Sequence, residues 1–180
     1  MKQHRGMRSH DIVVLLKIST LASVPWFVKD VAYSLGISQS EVSESLNRSK
    51  IAGLLSADKK KLMKKNLIDF LEHGLRYVYP VEAASIQRGM ATAHSAPPLN
   101  QQISFEDSYV WPWANGEQRG QAIEPLHPGV PVACSQDHEL YELLALIDAI
   151  RLGKVREQQI AIDELKRRIF NAETHQAKSH

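Results

Sequence analysis

The chain has a single cysteine, Cys134, in 180 residues. One thiol excludes an internal disulfide framework and points to a reducing compartment. Aromatic residues make up only 7% of the chain. No apolar run is long enough to cross a bilayer. A phosphate-cradling glycine loop, a nucleophile elbow and a metalloprotease helix are all missing. The start, MKQHRGMRSHDIVVLLKIST, has the charge and short apolar run of a signal peptide. Asp11, Lys17 and the lack of a small-residue cleavage site instead make it a first amphipathic helix. Proline is nearly absent outside one region: seven of the eight lie between Pro80 and Pro131. No long helix is expected to cross that region. These absences lead us to expect a cytoplasmic protein with no membrane partner, no cofactor, no metal and no enzymatic activity.

The 43% hydrophobic content is enough for a real core. Charge is unevenly spread beneath a net value of +2. Residues 1 to 80 hold 13 Lys and Arg against 7 Asp and Glu, residues 81 to 140 hold 2 against 7, and residues 141 to 180 hold 7 against 6. A basic first part joined to an acidic middle suits a nucleic-acid-binding unit with a separate second region.

The periodicity is helical over residues 8 to 76. Ile12, Val13, Leu15, Leu16 and Ile18 follow the helix starters Ser9 and Asp11. Val28, Val31, Ala32 and Leu35 share a face, and Gly36 stands at a stop position. Ser38 with Glu41 three residues on reads as a capping box, so another helix begins at Ser38 or Gln39 and runs to Ile51, burying Val42 and Leu46. Asp58 is placed to cap a further helix, 58 to 73, with Leu62, Leu67, Phe70 and Leu71 inside and Gly74 at its end.

In the proline-rich stretch, RYVYPV (76 to 81) and YVWPW (109 to 113) echo each other and suit two short antiparallel strands. The segment between them is long for a hairpin loop and is either mobile or locally helical, with a turn or two in VEAASIQRGMA. Residues 137 to 171 return to helix, from Asp137 to Gly153 and then from Val155 onward. In the first of these helices Leu140, Leu143, Leu144, Ile147 and Ile150 form one stripe, and Tyr141, Leu146 and Ala149 widen it toward a second face. A helix apolar on two sides needs two partners. One of them is expected to be the same helix of a second subunit; the competing account is that this surface folds back on the Pro-rich segment in a monomer.

The stretch VKDVAYSLGISQSEVSESLN carries the most specific signal. Ala32 stands where two helices approach closely, Gly36 takes the turn, Ile37 plugs the junction, and Val42 and Leu46 face inward. This spacing resembles the helix-turn-helix regulators of bacteria and phage. With VPWFVKDVAYSLGISQSEVSESLNRSKIAGLL followed by YVYP, residues 10 to 80 also resemble the winged-helix regulators of the MarR type. The resemblance implies that the second helix lies in the major groove. Gln39, Ser40, Ser43, Glu44 and Asn47 would then reach base edges, with Arg48 and Lys50 meeting phosphates. The competing reading is a solvated helix face in a structural three-helix unit. Lys59, Lys60 and Lys61 of DKKKLMKK either attract phosphates or keep an outer face soluble.

Cys134 and His138, with Asp137 adjacent and His127 upstream, could form a metal or redox sensor, but a packed thiol among surface imidazoles accounts for them as well. Trp26, Trp111 and Trp113 could line a small-molecule pocket or pack in the core and strands.

The expected fold is therefore mainly α. It has a winged helix-turn-helix DNA-binding unit over residues 8 to 80, a small antiparallel strand pair, a long Pro-rich wing or connector over 81 to 136, and C-terminal dimerisation helices over 137 to 171. The expected function is that of a dimeric, sequence-specific transcriptional regulator bound to double-stranded DNA. The alternative is a winged-helix protein-interaction module with a protein partner, such as the antitoxin of a toxin–antitoxin pair.

Overall fold

The computed structural model describes residues 6–22 and 24–171. It is mainly helical with one small sheet. The first helix, α1 (Ser9–Thr20), is buried almost all round, with Ile12, Val14, Leu15 and Leu16 fully enclosed. It is a core helix rather than an amphipathic surface one. The Asp11 carboxylate accepts the Arg8 backbone N–H at 2.8 Å, which secures the helix start.

Helix α2 (Val28–Leu35) ends at Gly36, whose φ of 64° lies in the left-handed region. The Ile37 N–H returns to the Ala32 carbonyl at 3.1 Å and closes the turn. Helix α3 (Gln39–Ile51) starts immediately after, with Ser38 Oγ accepting the Glu41 N–H at 3.2 Å. Ala32, Ile37, Val42 and Leu46 are buried at this junction. The capping box is only half made, because the Glu41 side chain turns away to meet Arg48 and His10.

Two expected elements are replaced. No helix begins at Asp58. Leu55 and Leu62 instead pair antiparallel across a tight turn, and α4 (Lys64–His73) starts later, burying Leu67, Ile68 and Leu71. Asp58 caps the turn, accepting from Ser56 Oγ at 2.5 Å and from the Lys60 N–H at 3.1 Å. The stretch expected as a strand from 76 to 81 begins with a short helix, α5 (Leu75–Val78), anchored by fully buried Leu75. Burial of that one side chain outweighs the strand preference of the Tyr and Val beside it.

The region expected as a wing or connector carries its own sheet. Strand β1 (Ile86–Ala91) pairs antiparallel with both β2 (Tyr109–Pro112) and β3 (Gln118–Ala122), and β2 and β3 pair parallel, closing a three-stranded barrel. Only β2 falls where a strand was expected. IQRGMA is strand, not a helical turn. Gly89 is required inside β1, because a Cβ there would overlap the Trp111 carbonyl.

After α6 (Val130–Ser135) comes α7 (His138–Leu152), capped by Asp137, which accepts the Leu140 N–H at 3.0 Å. α7 is the axis of the core. It packs against α8 (Val155–Asn171), α1, α5, α6 and the short 3₁₀ turn at Ala93–Ser95. Leu140, Leu143, Leu144, Leu146, Ile147, Ala149 and Ile150 are all buried within the chain. The second apolar face, expected to await another subunit, is already covered. One hydrophobic cluster runs from Ile12 to Ile169 and crosses both expected boundaries.

A buried polar knot fixes the sheet to this axis. Asp148 accepts from Thr92 Oγ1 at 2.8 Å, from Trp111 Nε1 at 2.6 Å and from Arg151 at 2.8 Å. Arg151 also donates to the Tyr79 and Glu124 carbonyls. Burial pushes the Asp148 carboxyl up, against the pull of these donors.

Candidate nucleic-acid interface

The period of α3 decides what it presents. Val42, Ser45, Leu46 and Ser49 fall at helical spacing and are buried. Gln39, Ser40, Ser43, Glu44 and Lys50 are exposed, and Asn47 is half-buried. The short polar side chains named from the sequence therefore lie mainly on the open face of α3, weighted toward its N-terminal half.

Arg48 does not belong with them. Its side chain is only 8% exposed. Nε and Nη2 make a two-pronged contact with Asp11, at 2.9 and 2.8 Å, and Nη2 also reaches Glu41 at 2.6 Å. Hydrogen bonding to Asp11 holds the Arg48 pKa above its usual value, and the Arg48 guanidinium lowers that of Glu41. A guanidinium committed to two carboxylates is not available to a phosphate. Its work is to fix α3 against α1. Position 48 lies at i, i+3 from buried Ser45, at the edge of the packing face, and that spacing was the available signal.

The lysine run is divided by the turn after α3. The Ser56 N–H bonds the Lys61 carbonyl at 2.8 Å, the Met63 N–H bonds the Leu54 carbonyl at 2.9 Å, and Lys59 takes a left-handed φ of 60°. Lys59, Lys60 and Lys61 sit on this projecting turn, whereas Lys64 and Lys65 open α4. The sequence signal missed was LLSADKKKL, two apolar flanks around a Ser/Asp turn.

Ser43 and Leu46 of α3, Trp26 and Phe27 before α2, and the stretch Asp58–Lys65 line one open groove of about 1250 Å³. The structure thus brings Ser43 together with Lys59, Lys60 and Lys61. Gln39, Ser40, Glu44, Asn47 and Lys50 are not part of the groove lining. Phe27 is 63% exposed at its rim, with the Lys29 ammonium 5.8 Å from its ring centroid. A lining role was one of the two uses the sequence left open for Trp26, whereas the place of Phe27 on this groove was not legible in it.

The other candidates are dispersed. Cys134 is buried in α6, and burial pushes its thiol pKa up, away from the reactive range. His138 is exposed and pairs with Glu142 at 3.1 Å. Among the described residues no group of three or more His, Cys, Asp or Glu is arranged to hold a metal ion, and no helix is long and apolar enough to cross a membrane. Trp111 is a core residue. No protein-family model, curated protein or solved structure matches this chain.

Proposed function

We propose that the protein is a sequence-specific, double-stranded-DNA-binding transcriptional regulator of winged helix-turn-helix type. The observation that carries this reading is the groove. It joins Ser43, on the open side of α3, to a turn bearing three consecutive lysines and a single carboxylate, Asp58. Hydrogen bonds from Ser56 and the Lys60 N–H hold Asp58 ionised, so it offsets one of the three lysine charges and leaves the turn net positive. In the proposed complex, the N-terminal half of α3 enters the major groove. Gln39, Ser40, Ser43, Glu44 and Asn47 face base edges, and Lys50 with Lys59, Lys60 and Lys61 meets the flanking phosphates. The Leu55–Leu62 hairpin plays the part of a wing, directly after α3.

Two half-sites would call for a dimer. With α7 covered, that dimer forms through another surface. The alternative, a winged-helix unit that binds another protein with the helices of residues 137 to 171 docking the partner, would be favoured by a Pro-rich acidic segment ordered only on that partner. That segment already folds as β1, β2, β3 and α6 within the chain.

The test is fluorescence anisotropy with DNA from upstream of the protein's own reading frame, against scrambled competitor. Retention of one fragment over the competitor supports the reading. Equal affinity for all sequences, or none at low salt, overturns it.

A further inference from the structure

Behind α3, three separate parts of the chain bring titratable side chains together. His10 and Asp11 come from α1, Glu41 and Arg48 from α3, and His127 from the loop between β3 and α6. His10 Nε2 lies 2.7 Å from Glu41 Oε1 and 3.2 Å from Arg48 Nη2. Its ring meets that of His127 edge to face, with centroids 5.8 Å apart. Arg8, just before α1, approaches Glu41 at 3.6 Å.

His127 has a second tie. Its Nδ1 accepts the Gly129 N–H at 3.0 Å, a role open only to the neutral ring protonated at Nε2. Gly129 lies so close to α2 that a Cβ there would stand 3.2 Å from the Leu35 carbonyl oxygen. The loop held by His127 therefore lies close beside the last residue of α2, next to the Gly36 turn that leads into α3.

We propose that His127 is a proton-operated latch: uncharged, it clamps the loop before α6 onto α1 and α2, and protonated, it releases that loop. A proton on Nδ1 would point at the Gly129 N–H, cancelling that bond. The charge would also sit against His10, with the Arg48 guanidinium beyond it. Glu41 is the carboxylate that opposes this, and it is already engaged by Arg48 and His10. Burial first, and His10 second, hold the His127 pKa below the ordinary 6.5, with Glu41 pulling the other way. The folded chain therefore favours neutral His127. The stability this gives is present above pH 6.5 and is lost as pH falls through the folded-state value. If the DNA reading above holds, the released state aims α3 less firmly, and DNA affinity falls on mild acidification.

The experiment is an NMR pH titration of the full chain, following the His127 ring and the Gly129 amide, beside thermal melts at about pH 7.5 and about pH 5.5. The comparison variant is His127→Asn, whose side-chain oxygen can still accept the N–H two residues on but cannot titrate. We expect His127 to titrate below 6.5 and the Gly129 amide to shift with the same midpoint. The melting temperature should fall more in the parent than in His127→Asn. An ordinary or raised His127 midpoint, a Gly129 amide that does not follow, or equal pH dependence in both proteins overturns the latch. Should His127→Asn not fold, His10→Gln serves instead and must raise the His127 midpoint. None of these readouts uses DNA. A chain that binds no DNA yet passes them loses the regulator reading and keeps the latch.

Discussion

At the scale of single residues, Arg48 and its neighbours on α3 make opposite kinds of contribution. Asp11 is fully buried and Arg48 nearly so, so removing either leaves an uncompensated buried charge. Arg48→Ala should lower unfolding free energy by about 3–5 kcal/mol in urea denaturation. If Arg48 were instead a phosphate contact, Arg48→Ala would keep the parental stability and reduce the slope of log affinity against log salt by about 1. Gln39→Ala and Asn47→Ala should do the reverse. We expect near-parental stability, a loss of about 1–3 kcal/mol for the specific site, and relaxed preference at one base pair. Unchanged site preference in both variants would remove them from the reading face.

At the scale of elements, the two turns flanking α3 are the sensitive points. Gly36 has a left-handed φ of 64°, and a Cβ there would meet nothing within 4 Å. Gly36→Ala should therefore cost about 1 kcal/mol through the backbone alone, and Gly36→Asn less, since Asn tolerates this conformation. Equal stability of all three in urea would show that the turn is not held at that φ. The lysine turn acts through charge. Replacing Lys59, Lys60 and Lys61 with Gln should weaken binding to every sequence alike. It should also reduce the slope of log affinity against log salt by about 2–3, the value for three phosphate contacts. An unchanged slope would make this turn a solvated face.

At the scale of the whole molecule, α7 joins everything. It is enclosed by helices from both ends of the chain, and its Asp148 holds Thr92 and Trp111 beside the sheet. A chain ending at Gln136 should thus lose cooperative unfolding altogether, read by circular dichroism on heating, rather than persist as a monomeric DNA-binding unit. Leu146, fully buried on the side once expected to meet a second subunit, gives the sharper test. Leu146→Ala should cost about 2–5 kcal/mol of stability. The mass measured by light scattering should stay that of the parent, whatever that state is.

The sequence by itself determined the local features. The cap at Ser38, the stop at Gly36, the packing face of α3 and the helices after Asp137 follow from side-chain chemistry and spacing over a few residues. The short polar face of α3 was legible for the same reason, as was β2. Tertiary structure alone decided the rest. Whether α7 is apolar on two sides for a partner or for its own chain depends on what the rest of the chain lays against it. Leu75 turned a strand-like segment into helix by burial. β1 and β3 exist only because each pairs with strands distant in sequence. Arg48 reads as a surface cation until Asp11, 37 residues away, is placed beneath it. A charge declares its partner only when folding has brought the partner within reach, because its energy is set by desolvation and distance, and neither is a property of the sequence around it.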